Sequence, residues 1–130
     1  MKTIEITISS GNTTETAKIE CDRQKPCLTF TMQSGLKKTY SASDLYLCLG
    51  MLRADFPDIK FLCKGAKLNV YPSRMCSQMA GGVVAYEMSM GKPAEREDIV
   101  NIFDYEDKGI TNDIEQQQEF YKRWIESLAH

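Results

Sequence analysis

Three runs of alternating side chains fill the opening of this chain, and no other feature narrows its fold as much. Ile4, Ile6 and Ile8 alternate with Thr3, Glu5 and Thr7; Ala17, Ile19 and Cys21 alternate with Lys18 and Glu20; Leu28, Phe30 and Met32 alternate with Thr29 and Thr31. A period of two puts each apolar set on one face of an extended strand, so the runs predict a β-meander with one face on a core and the other in water. Ser10-Gly11-Asn12 and Asp22 to Pro26 supply the turns. Ser34-Gly35 leads into a fourth strand, Leu36 to Tyr40, whose Lys37 and Lys38 suit an exposed edge.

The pattern then lengthens to a helical one. Ser43 is placed to cap a helix whose Leu45, Cys48, Leu49, Leu52 and Phe56 share a face; Tyr46 lies off that stripe and is expected in solvent, and Pro57 ends the run. Ile59 to Cys63 returns as a strand. The stretch Phe61 to Gly82 follows it with a Lys64-Gly65 turn, an extended piece from Leu68 to Tyr71, Pro72, and a short helix capped by Ser73 and stopped by Gly81-Gly82. Met75, Cys76, Met79 and Ala80 share one face of that helix, which predicts a crossover wedging a Met/Cys face into the core. Val83 to Met90 reads as a central strand, Ile99 to Phe103 as another, and Asp104 to Gly109 as a loop. In the last helix Asn112 and Glu115 suggest a capping box, and Ile114, Gln117, Tyr121, Trp124, Ile125 and Leu128 trace one face with Trp124 as its anchor. The expected class is α+β: a single domain over residues 1–130, with an N-terminal β-meander, a mixed or antiparallel sheet and about three helices.

A chain of 130 residues, 42% hydrophobic and 26% charged, suits one globular core. It carries no apolar run near 18 residues and no export-type opening, so the expectation is a cytoplasmic protein without a membrane span. Its five cysteines, Cys21, Cys27, Cys48, Cys63 and Cys76, are odd in number and contain no C-x-x-C, which predicts buried free thiols and neither a zinc site nor a disulfide framework. The one histidine, His130, stands at the end of the sequence, a poor place for a catalytic base.

Catalysis would then rest on a Cys or Ser activated by a cation, or on a carboxylate pair. Cys63-Lys64 and Ser73-Arg74 are the neighbours that qualify, yet Cys63 sits in an apolar strand that raises a thiol's pKa and quiets it. The loop between them lacks the glycine spacing and Lys-Ser/Thr of a phosphate cradle. No catalytic residue, cofactor or metal is therefore expected; the alternative is a small enzyme or ligand-binding domain built on the Cys63 to Ser73 loop.

Charge is unevenly placed. Residues 1–82 hold 11 Lys/Arg against 7 Asp/Glu, whereas residues 83–130 hold 5 against 11. Within the acidic third, Asp104, Glu106, Asp107, Asp113, Glu115 and Glu119 fall on a loop and a helix start, which are surface elements, and they are the candidate partner-binding residues. A sequence pI of about 5.4, with no interleaving of aromatics and Lys/Arg, argues against direct nucleic-acid binding.

Over Leu62 to Leu128 a further pattern can be read: Cys63, Gly65, Ala66, Val70, Pro72, Ser73 and Met75; Gly82 and Tyr86; Gly91 and Pro93; and the closing Glu115-Gln116 with Phe120 and Trp124. This pattern resembles small bacterial immunity proteins encoded beside polymorphic toxins of the contact-dependent inhibition and Rhs type. The resemblance implies a role, binding and neutralising a cognate toxin domain, and it assigns no site residues; the acidic third would suit a toxin that is a basic nuclease. The meander lies outside the resemblance.

Overall fold

The alternation of the opening residues becomes a sheet in which every neighbouring pair runs antiparallel. The computed structural model describes residues 2–129, and His130 lies outside the described residues. β1 (Lys2–Ser10), β2 (Thr13–Asp22), β3 (Cys27–Thr31) and β4 (Lys37–Ser41) form the meander. Cross-strand register matches apolar with apolar: Ile6 faces Ala17, Ile19 faces Phe30, and Leu28 lies between Cys21 and Tyr40. These side chains are buried, while on the other face the Thr29 and Thr39 hydroxyls share a 2.9 Å hydrogen bond. β4 is the edge strand, with Lys37 and Lys38 exposed.

β5 (Ile59–Leu62) pairs with β1 at the far edge, so the order is β4-β3-β2-β1-β5. The chain must cross the sheet to reach that edge, and α1 (Leu45–Asp55) makes the crossing, burying Leu45, Cys48, Leu49 and Leu52. Its cap is Asp44 rather than Ser43: Asp44 Oδ1 accepts the Leu47 N–H at 2.8 Å, and Oδ2 accepts the Ser77 hydroxyl. Tyr46 is buried, against expectation, and its hydroxyl donates to Val70 O at 2.8 Å. The reason is a second layer. α1 is covered on both sides, once by the five-stranded sheet and once by the elements that follow Cys63.

Those elements include a separate three-stranded antiparallel sheet in place of an extension of the first, with β7 (Val84–Glu87) between β6 (Val70–Tyr71) and β8 (Ile99–Asn101). Its strands are shorter than their apolar runs because Met88, Ile102 and Phe103 leave the ladder and pack as loop residues. α2 (Arg74–Ala80) is capped by Ser73 Oγ, which accepts the Cys76 N–H at 3.1 Å, and ends in two left-handed glycines, Gly81 at φ 62° and Gly82 at φ 77°. A Cβ on Gly82 would lie 2.8 Å from Asp44, so the glycine lets α2 close onto the start of α1. The Met/Cys wedge is not formed: Cys76 points inward, but Met75 and Met79 point out.

α3 (Ile114–Ser127) is capped by Asp113 rather than Asn112. Asn112 instead donates its amide to Phe56 O at 3.1 Å and Ile59 O at 2.8 Å, tying the helix start to the first sheet. Trp124 is buried and anchors the helix beneath the loop after β7, where its Nε1 donates to Lys92 O at 2.9 Å. It ends an aromatic column running Tyr46, Tyr71, Tyr121, Trp124, with centroid spacings of 5.4, 4.5 and 5.9 Å. Ile125 and Leu128, expected on the buried stripe, are exposed because the column turns the helix onto its Gln117–Trp124 side. The architecture is a single α+β domain with three α-helices. All five thiols are free; Cys27 is half-buried and the others are buried.

Candidate partner-binding face

The acidic loop and the start of α3 meet because residues 104–111 run beside residues 62–68. Lys64 N–H donates to Asp104 O at 2.8 Å, Leu68 N–H to Gly109 O at 2.8 Å, and Thr111 N–H to Ala66 O at 2.9 Å. Isolated bridges join Cys63 to Tyr105 and Lys67 to Ile110. Strapped down in this way, the loop feeds directly into α3. Beside it, Asp113, Glu115 and Glu119, with Leu68, Gln116 and Arg123, line an open groove of about 490 Å³.

Three of the six candidate carboxylates thus share one groove, with Leu68 as its apolar element. Local forces account for part of this acidity: Asp113 Oδ1 accepts the Glu115 N–H at 2.9 Å, and Glu115 stands in the first turn, where the helix dipole favours an anion. Glu119, Asp104 and Asp107 have no such local use. All five of these carboxylates are exposed, and among the described residues none is ion-paired with Lys or Arg.

Glu106 differs, and here the sequence reading needs correction. Its Oε1 lies 3.0 Å from Lys64 Nζ and 2.9 Å from Lys67 Nζ, and both ammoniums also reach Glu87, at 3.0 and 2.6 Å, which closes a ring of four ion pairs. The Glu106 side chain is only 12% exposed. The Lys67 and Lys64 ammoniums, helped by the Lys108 N–H, hold its carboxyl down to about 2. Its Oε2 accepts the Asp107 and Lys108 N–H groups at 3.0 and 3.1 Å. Glu106 therefore positions the loop that displays Asp104 and Asp107, and its own charge is already answered.

Behind the groove lies a buried polar knot that sequence reasoning missed. Arg53, fully buried on α1, donates through Nη1 to Thr111 O and through Nη2 to Gln117 Oε1 at 2.7 Å. Gln117 Nε2 in turn donates to Gly65 O at 3.0 Å and Lys67 O at 2.8 Å. One amide side chain thus fastens α1, α3 and the 64–67 turn, the three segments that set the groove's shape. A polar residue on an otherwise apolar helical stripe was the available signal for Gln117. Arg53 gave none, since a cation late in a helix is ordinary on the surface.

The residues of the alternative reading are occupied otherwise. Cys63 is fully buried, and burial pushes its thiol up to about 11, although Arg53 opposes the shift. Ser73 spends its hydroxyl on the α2 cap. Gly65 serves packing: a Cβ there would stand 2.6 Å from Leu49 Cδ2 and 2.9 Å from Ile102 Cβ. Among the described residues, no three His, Cys, Asp or Glu side chains are placed to hold a metal ion, and no helix is long and apolar enough to cross a membrane. In comparisons with known proteins, no family model and no curated protein matches the chain.

Proposed function

We propose that this protein is an inhibitory binding domain, an immunity protein that neutralises a cognate toxin domain in the cytoplasm by contact and without turnover. The observation that carries the reading is the group of five exposed, unpaired carboxylates: Asp113, Glu115 and Glu119 line an open groove at the start of α3, and Asp104 and Asp107 stand on the strapped loop that leads into that helix. The Asp113 cap and the helix dipole at Glu115 account for two of these charges locally, but Glu119, Asp104 and Asp107 have no such role, and toward a basic surface all five speed encounter and exclude wrong partners. The Cys63 to Trp124 pattern supports the partner class: a toxin domain, and for this charge a basic nuclease.

This reading predicts a toxin domain encoded beside this chain, and the test takes that domain as the partner, with association followed by surface plasmon resonance at two salt concentrations. The triple variant Asp113→Asn, Glu115→Gln, Glu119→Gln keeps a good helix cap, because Asn caps as well as Asp. Its association rate should fall about tenfold at low salt, and the loss should shrink once the Debye length drops to about 8 Å near physiological ionic strength. An unchanged association rate at low salt would rule the groove out as the contact.

A further inference from the structure

α2 is fastened entirely from its inner side. Cys76 is buried, Ser73 caps the first turn, Ser77 donates to the buried Asp44, and Leu45 N–H donates to Gly81 O at 2.7 Å. None of these contacts uses Met75 or Met79, which lie one turn apart and are 66% and 82% exposed, the two highest values among the exposed large apolar side chains of the described residues. Thioethers at helical spacing make an adaptable binding surface because they repack around differently shaped partners.

The ground beside this helix is cationic. Gly81 packs on the backbone and Cβ of Arg23, leaving the Arg23 head exposed, and there a groove of about 620 Å³ opens between the β2–β3 turn and the start of β7. Its walls combine Lys2 and Arg23 with Leu45, Val83 and Val84. The carboxylate in that wall, Asp22, is already engaged, since its Oδ1 accepts the Gln24 N–H at 2.9 Å and the Lys25 N–H at 3.4 Å. Lys25 in the same turn and Arg74 at the start of α2 add exposed positive charge.

We infer that the α2 face is a second docking surface, and that it takes an acidic polypeptide segment that anchors large apolar side chains on Met75 and Met79 and sets its carboxylates against Arg23 and Lys2. Charge complementarity selects this occupant: a basic segment would meet like charge, and a purely apolar one would leave the cations unanswered. The surface shares no residue with the acidic groove and does not depend on the function proposed above.

Random peptides of about 15 residues displayed on phage can be selected on the wild-type protein and counter-selected on the double variant Met75→Ser, Met79→Ser. These positions are solvated, so the variants should fold, which circular dichroism checks. Enriched peptides should carry Asp or Glu beside Leu, Phe or Trp. In fluorescence anisotropy their Kd should rise about tenfold with Met75→Ser, Met79→Ser and likewise with Arg23→Glu. Failure to enrich, neutral or basic consensus peptides, or binding that ignores the variants would overturn the inference. So would phosphatidylglycerol vesicles that bind the wild type and not the variants, which would mark a membrane surface, or a dimer in sedimentation that these variants dissociate, which would make a second copy the occupant.

Discussion

The two halves of this domain hold together by different means. In the five-stranded sheet and α1, cohesion is apolar and repetitive: Ile6, Ile19, Leu28 and Phe30 interlock across strands, and each contact resembles its neighbour. After Cys63 the strands have two to four residues, and beside the aromatic column that Trp124 ends, order rests on single polar devices: the Arg53–Gln117 knot, the Asn112 amide, the ion ring at Glu106 and the Asp44–Ser77 bond. Apolar packing spreads its tolerance over many atoms, whereas a buried hydrogen-bonding side chain fails all at once when its partners are orphaned.

The sharpest way to break that contrast is Gln117→Met, which keeps length and volume and removes every hydrogen bond. It takes one of the Arg53 guanidinium's two acceptors and strips the Gly65 carbonyl of its side-chain donor, while the Lys67 carbonyl keeps the Val70 N–H, so a loss of about 3–5 kcal/mol is expected in urea unfolding. A loss below about 1 kcal/mol would show that the knot is incidental. The same measurement on Ile19→Val in the first sheet should give only about 1 kcal/mol, since one methyl is lost from a site where many neighbours adjust.

Glu106→Gln refines the comparison with a smaller effect, about 1–2 kcal/mol at neutral pH, because the ring is partly solvated. Its pH dependence identifies the charge. The folded carboxyl titrates near 2 and the unfolded one near about 4.3, so the stabilisation is present above the unfolded value and disappears as pH falls toward the folded one. Wild type and Glu106→Gln should therefore converge in stability between pH of about 4.3 and about 2. Parallel curves through that window would show that the carboxylate charge contributes nothing there.

The same contrast explains what could be read beforehand. A period of two announces itself over successive residues, so the meander, its turns and its lysine-bearing edge are visible in the first forty residues. Polar fasteners leave no period. Asn112 could have been a cap or a tether, and only the closeness of the Phe56 and Ile59 carbonyls decides it. Tyr46 looked exposed because one helix stripe implies one partner, and nothing local reveals a second layer. Five of the six acidic site candidates were legible as surface because loops and helix starts are surface; Glu106 was not, since its lysines stand about forty residues earlier in the chain. Met75 and Met79 followed the helical period correctly and were assigned to the wrong side of it.

The Gln117 knot also bears on the order in which the molecule comes together. Its bonds to Arg53 and Gly65 join residues 64 and 52 positions apart, whereas the Thr29–Thr39 bond of the meander closes over 10. Short closures cost less chain entropy than long ones, so the expected order puts the meander before the folding barrier and the knot after it. In a chevron plot, Gln117→Met should then quicken unfolding with the refolding limb nearly unmoved, while Ile19→Val should slow refolding. A slowed refolding limb for Gln117→Met would place the knot in the nucleus. On this order the groove is the last part of the domain to take shape and the first to be lost.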